Sequence, residues 1–130
     1  MVSSVPFTPA RGLAAAGTLA GVGVALAAWS WATPWGVLCP WRMLTGTLCP
    51  LCGSTTLVKR LLVGDVAGAW AANQLTFVAG CLLAVACVAW VIQLAGGPAP
   101  RLPRWLRDER VRYGAAALVC VAFAVWRNVG

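Results

Sequence analysis

Two long runs without a charged residue constrain the fold of this chain more than any other feature. Residues 12–32 and 66–95 contain no Asp, Glu, Lys or Arg. As an α-helix, the first run is about 31 Å long, which is enough to cross the hydrocarbon core of a bilayer. Of the 130 residues, 61% are hydrophobic and 10% are charged, which leaves too few polar side chains to cover a water-soluble domain. We therefore expect an integral membrane protein.

The first run is expected to be a retained transmembrane helix. A secretory signal peptide is the competing interpretation, because Arg11 precedes the run and small residues lie near its end. The run is long for a signal peptide, however. Trp29, Trp31 and Trp35 also cluster where it would leave the membrane, as in an interfacial aromatic belt. We therefore favour a helix that stays in the membrane.

The later runs differ in length. The run 66–95 is longer than a span needs, and because Asn73 and Gln74 lie in its first part, we place its embedded portion at 75–95. The last run, 113–126, makes only about 21 Å of helix and spans a bilayer if the flanking arginines extend to its surfaces. The predicted fold class is an all-α membrane protein with three transmembrane helices and a short interfacial helix after a cysteine loop.

These elements form one predicted integral membrane domain, residues 1–130. Ser54 and Thr55 are typical of a helix start, and the segment that they begin is too short to span the membrane. The predicted parts are a helix at 12–32, a cysteine loop at 33–53, an interfacial helix at 54–63, a helix at 66–95, a basic loop at 96–112 and a helix at 113–127.

The basic residues predict how the chain lies in the membrane. The net charge is +7, but Lys and Arg lie at the ends of apolar runs rather than on one water-exposed face, so we expect no nucleic-acid partner. One side of the membrane would carry six arginines, namely Arg11, Arg101, Arg104, Arg107, Arg110 and Arg112. The other side would carry four basic residues, namely Arg42, Lys59, Arg60 and Arg127.

The positive-inside rule therefore places the amino terminus and the basic loop in the cytoplasm and the cysteine loop outside a bacterial plasma membrane. We expect the arginines of the basic loop to contact the lipid bilayer and to attract anionic lipid. An external loop favours disulfide formation over free thiols.

The chemically unusual stretch is Cys39–Gly53, which contains three of the six cysteines. Cys49-Pro50-Leu51-Cys52-Gly53 has the spacing of a zinc knuckle, in which two thiolates on a tight turn bind one ion. Cys39 is a candidate third ligand. The chain has no histidine to complete the site, and Asp65 lies beyond a helix about 15 Å long. Zinc is therefore possible, and no cofactor is favoured.

Two other interpretations of these cysteines stay open. The same residues resemble a C-x-x-C redox pair, with Cys49 and Cys52 reacting and Cys39 as the resolving thiol. Alternatively, Cys39 forms a structural disulfide with Cys49 or Cys52 that fixes the proline-rich loop. The remaining cysteines, Cys81, Cys87 and Cys120, lie within predicted helices, where a small apolar role is expected.

The motif C-P-x8-C-P-x-C-G-x-T, followed by G-D and by Asn, resembles the bacterial membrane-protein family called domain of unknown function 2752. Besides the three cysteines, the matching residues are Pro40, Gly46, Pro50, Gly53, Thr55, Gly64, Asp65 and Asn73. The sequence departs from the family at Thr56, where arginine is usual, and at Gln74, where proline is usual. The resemblance implies a small multi-span membrane protein with a cysteine loop and brings no established activity.

The leading functional hypothesis is a non-enzymatic accessory subunit of a larger membrane assembly, with a disulfide-structured external cysteine loop. A GxxxG step at Gly17 and Gly21 would allow close packing against other membrane-protein subunits, and catalytic groups are scarce. The alternatives are a membrane thiol-disulfide oxidoreductase and a zinc-binding protein, both of which would use the three cysteines of the loop.

Overall fold

The computed structural model describes residues 6–34, 38–101 and 103–130, and within these ranges the chain is helical with no strand. The helices are α1 (Pro9–Ala32), α2 (Pro40–Thr45), α3 (Ser54–Leu62), α4 (Val66–Ala72), α5 (Gln74–Leu94), α6 (Arg104–Arg107) and α7 (Glu109–Val129). The predicted all-α class is thereby confirmed. Trp35 of the predicted aromatic belt, residues 36–37 of the cysteine loop and Leu102 of the basic loop lie outside the described residues.

Helix α1 begins three residues before the predicted start because Thr8 caps it. The Thr8 hydroxyl accepts a hydrogen bond from the Arg11 backbone N–H, and Pro9 occupies the first helical position, where its missing N–H costs nothing. Within the helix, the Ser30 hydroxyl donates to the Ala27 carbonyl oxygen at 2.9 Å. The Ser30 hydroxyl thus has a hydrogen-bond partner within its own helix, although it lies in an apolar run.

The apolar run 66–95 forms two helices, where the sequence predicted one. Asn73 separates α4 from α5 with an extended backbone, φ −164° and ψ 101°. Its side chain caps α5, because Oδ1 accepts a hydrogen bond from the Thr76 N–H at 2.9 Å. The portion that the sequence assigned to the membrane, 75–95, corresponds closely to α5.

Helices α1 and α5 pack side by side and run antiparallel. The Phe7 ring, just before α1, lies 5.5 Å from the Trp90 ring near the end of α5, measured between ring centroids. Helix α3 packs against the second half of α1, where its Leu57 side chain is buried and the Lys59 ammonium donates to the Ser30 carbonyl oxygen at 3.2 Å. The antiparallel pair of α1 and α5, with α3 packed against α1, positions the cysteine loop.

Two helices among the described residues, α1 and α5, are long and apolar enough to cross a membrane, where the sequence predicted three. Helix α7 has 21 residues, longer than the predicted 113–127, but its first turn contains Glu109, Arg110 and Arg112. These charges lower the mean hydropathy of α7 below that of α5. Most large apolar side chains of the three helices face outward, and α5 and α7 have no buried residue.

Candidate metal centre

The structure brings the three predicted loop cysteines together. The Sγ atoms of Cys39 and Cys49 lie 3.5 Å apart, and those of Cys49 and Cys52 lie 3.2 Å apart. All three Sγ atoms are within 4.8 Å of one another, and the three cysteines are free and half-buried. We call these three residues the thiol cluster. Cys81, Cys87 and Cys120 lie on α5 and α7, outside the cluster.

Two Cys-Pro turns build the cluster. Cys39 is the N-cap residue of α2, and Pro40 begins that helix, which ends at Gly46 in a left-handed conformation with φ 71°. The chain then returns through Thr47 and Leu48 to Cys49. A six-residue helix followed by a glycine is thus what brings the Cys49 thiol back to the Cys39 thiol.

The second turn is tighter and directly precedes α3. The Cys52 backbone N–H donates to the Cys49 carbonyl oxygen at 3.0 Å, and Gly53 follows with φ 92°. A Cβ atom at Gly53 would lie 2.5 Å from the Ala72 carbonyl oxygen. Glycine is therefore required here both for the left-handed backbone and for the close approach of the end of α4.

The environments of two cluster thiols push their pKa values apart. The backbone N–H of Arg42 stabilises the charged form of Cys39, and the Cys49 thiol adds to this, so the pKa of Cys39 is lowered. Burial raises the pKa of Cys49 to about 11, and its hydrogen bonds to Cys52 and Cys39 act in the same direction. Cys39 is therefore the more acidic thiol of this pair.

Asn73 holds the second turn in place through side-chain hydrogen bonds. Its side chain is fully buried, and its Nδ2 atom donates to the Pro50 carbonyl oxygen at 2.8 Å and to the Cys52 carbonyl oxygen at 3.0 Å. Since Oδ1 also caps α5, every polar atom of this amide is used. The residue that breaks the 66–95 run therefore also holds the cysteine turn.

The end of α7 holds the same turn from the other side. The Arg127 guanidinium donates to the Cys52 carbonyl oxygen at 2.6 Å and to the Ala72 carbonyl oxygen at 2.9 Å. The Asn128 amide pairs with the backbone of Leu48, accepting from its N–H and donating to its carbonyl oxygen, both at 2.9 Å. We call Arg127 and Asn128 the α7 clasp.

Sequence reasoning missed the α7 clasp as part of the site. Arg127 was assigned to the membrane surface, and Asn128 was not singled out. The available signal was the position of two adjacent polar side chains at the end of an apolar helix, each able to reach backbone groups. Nothing in the sequence indicated that their partners would be Leu48, Cys52 and Ala72.

The other motif residues support the turns or lie apart from them. Thr55 lies at the groove beside the cluster, whereas Gly64 and Asp65 form the turn between α3 and α4. The Asp65 carboxylate accepts from the Gly68 N–H at 2.8 Å and from Arg60 at 2.7 Å, and these two donors lower its pKa. The arginines of the basic loop are exposed, and they lie on α6, at the start of α7 or before them.

An open groove of about 940 Å³ lies over the cluster. Its walls include the three cysteines and the two basic side chains Arg42 and Arg127, with the Met43 thioether on α2 beside them. The thiols are thus reachable from outside the protein through a groove that carries positive charge.

Neither a curated protein nor a solved structure matches the chain. Residues 39–87 match the sequence model of a family described as Protein of unknown function (DUF2752). This segment includes the thiol cluster, α3, α4 and the first part of α5, whereas the α7 clasp lies outside it. The match to the DUF2752 family over residues 39–87 confirms the resemblance that the Cys-Pro motifs predicted.

Proposed function

We propose that this chain is a small membrane protein with three transmembrane helices whose thiol cluster binds one soft metal ion at the membrane surface. The observation that supports the metal function is the convergence of three Sγ atoms within 4.8 Å. A metal ion bound by three thiolates needs sulfur atoms at about this separation, since Zn–S bonds of about 2.3 Å in a tetrahedron place sulfurs about 3.8 Å apart.

The length of α7 and the position of its end support a third span. Its Arg127 meets Asn73, at the start of α5, on the same cysteine turn. Helix α7 starts after the basic loop and reaches the cluster in 21 residues, the same length as α5 and about 31 Å. In this proposal α7 is the third span, with its first-turn charges in the lipid headgroup region.

The charge distribution supports the orientation. The amino terminus and the basic loop lie on the cytoplasmic side, and the thiol cluster lies on the extracytoplasmic side. The thiols then meet metal ions or oxidants of the external compartment rather than the reducing cytosol.

Preformed geometry favours metal binding over a structural disulfide alone. A disulfide uses two thiols, whereas all three of Cys39, Cys49 and Cys52 converge. Asn73 and the α7 clasp hold the turn that carries two of them, Cys49 and Cys52. Metal binding would displace the remaining thiol protons, including the one on Cys49, because the thiolate is the ligand. The accessory-subunit hypothesis is compatible with a metal site and remains a prediction.

Thiol-disulfide exchange is the second candidate, supported by the lowered pKa of Cys39 beside Cys49. Oxidation of Cys49 and Cys52 to a disulfide would release two electrons and two protons to an acceptor such as a membrane quinone.

Metal content tests the proposal. The full chain is purified in detergent under anaerobic reducing conditions, loaded with excess Zn(II) or Cu(I), desalted and analysed by elemental mass spectrometry. We expect about one metal ion per chain, lost when all three cluster cysteines are replaced by serine. Cys87→Ser, a cysteine replacement outside the cluster, is the matched control and should retain the metal.

Two results would overturn the metal function. One is equal metal content in the wild-type protein and the triple-serine variant. The other is a Cys49–Cys52 disulfide in acid-quenched cells. It would form and disappear as the redox state of the membrane changes. The second result would favour the oxidoreductase.

A further inference from the structure

We propose that the ion is copper(I), bound by the three cluster thiolates without a fourth protein ligand. This inference rests on the proposed metal function and specifies its ligand class. The observation behind it is that no histidine and no acidic side chain reaches the cluster.

No imidazole or carboxylate is available to the cluster. The chain has no histidine and three acidic residues, namely Asp65, Asp108 and Glu109. Asp65 is bonded to the Gly68 N–H and to Arg60, where it caps α4. The other two begin α7, and about 27 Å of helix separates Glu109 from Arg127 at the cluster.

The donors that remain are sulfur atoms. Besides the three thiols, the groove is lined by Met43, whose thioether is a soft, uncharged donor. Thiolate and thioether ligands suit copper(I), zinc and iron–sulfur clusters, and iron–sulfur clusters are held by four cysteines rather than three. Structural zinc sites almost always use four protein ligands, so zinc would have an open position here.

The charges along the groove suit this complex. Three thiolates and one copper(I) ion carry a net charge of −2, and two arginines, Arg42 and Arg127, line the same groove. The Arg127 guanidinium is fixed next to the cluster by its bonds to the Cys52 and Ala72 carbonyl oxygens. An anionic copper-thiolate centre would therefore lie beside two positive charges, one of which, Arg127, is held in place by hydrogen bonds.

The coordination of the bound ion tests this inference. The detergent-purified full chain is loaded anaerobically with one equivalent of Cu(I), delivered from a chelated stock, and X-ray absorption at the copper edge counts the neighbouring atoms. We expect three sulfur neighbours and no nitrogen or oxygen. Cys52→Ser should reduce the sulfur count to two, and Cys87→Ser should leave it at three.

The zinc form is measured in parallel and separates the two proposals. If the protein takes up one Zn(II) with four protein ligands, or if bound copper has nitrogen or oxygen neighbours, the copper(I) inference fails while the metal function stands. If neither ion binds the wild-type chain more than the triple-serine variant, both fail. Circular dichroism of each variant verifies that its helices are retained.

Discussion

The Arg127 guanidinium donates to the Cys52 carbonyl oxygen at 2.6 Å, across 75 residues of chain. The same side chain bonds the Ala72 carbonyl oxygen at the end of α4. One charged group therefore joins the cysteine turn, the break between α4 and α5, and the last helix. Hydrogen bonds to charged groups contribute about 1.5–3 kcal/mol each, which makes this contact a principal link between α7 and the rest of the chain.

Replacing Arg127 should loosen the cysteine turn. We expect Arg127→Gln to lower the free energy of unfolding in detergent by about 1–3 kcal/mol and to speed alkylation of Cys52 in the folded, metal-free protein. Thermal unfolding and residue-resolved mass spectrometry after a pulse of iodoacetamide measure the two effects. Arg110→Gln removes an exposed arginine at the other end of α7 and should change neither.

An equal alkylation rate of Cys52 in wild-type and Arg127→Gln protein would contradict this role of Arg127. A change in stability without a change in that rate would assign Arg127 to helix packing alone.

Asn73 should be more sensitive to substitution than its neighbour. We expect Asn73→Ala to destabilise the protein strongly, because it leaves the Pro50 carbonyl oxygen and the Thr76 N–H without their partner, at about 1–3 kcal/mol for each buried group. Gln74→Ala, one residue later, is the control and should cost far less. Chemical unfolding followed by tryptophan fluorescence compares them, and equal effects would show that the Asn73 hydrogen bonds contribute nothing specific.

Two glycines with left-handed backbone conformations allow the destabilisation caused by backbone strain to be compared with that caused by a steric clash. Gly46 has φ 71° with open space around it, so Gly46→Ala should cost only about 1–2 kcal/mol of backbone strain. Gly53 has φ 92°, and a Cβ there would meet the Ala72 carbonyl oxygen at 2.5 Å. We therefore expect Gly53→Ala to destabilise the protein more and to lower metal occupancy. Unfolding midpoints measured side by side test the order, and the reverse order would contradict the observed packing.

Alkylation as a function of pH should distinguish two cluster thiols. The thiolate is the reactive form, so Cys39, whose pKa is lowered, should react at lower pH than an ordinary cysteine. Burial and hydrogen bonding raise the pKa of Cys49 to about 11, and its reaction should follow only in strongly alkaline solution. Pulsed iodoacetamide labelling of the metal-free protein from neutral to alkaline pH measures both, with a short cysteine-containing peptide in the same buffer as reference. Identical profiles would contradict this difference in acidity between Cys39 and Cys49.

The sequence predicted the helices better than the contacts between them. An uncharged run of membrane length predicts α1 because helix is the only way for a single segment to satisfy its backbone in lipid. The break at Asn73 was not predicted, because a single polar residue in an apolar run does not reveal whether its side chain will bond its own helix or a distant turn. Here it does both.

The three cysteines were predicted as one site, but their mutual positions were not. Cys49 and Cys52 are close by spacing alone, whereas Cys39 joins them through the α2 turn and Gly46. The contribution of Arg127 and Asn128 could not be predicted, because hydrogen bonds over such separations depend on how α7 packs and not on local sequence. The apolar run 113–126 predicted a last helix that was too short. Helix α7 is longer because it also includes the charged residues Glu109, Arg110 and Arg112, which precede that run.

The α7 clasp is the last part of the site to be synthesised. The cysteine loop is synthesised about 75 residues before the arginine that completes its hydrogen bonds. Until α7 has been synthesised, the Leu48 and Cys52 backbone groups lack these hydrogen-bond partners. A chain that stops before residue 127 would therefore contain all three thiols of the cluster without the clasp that holds their loop.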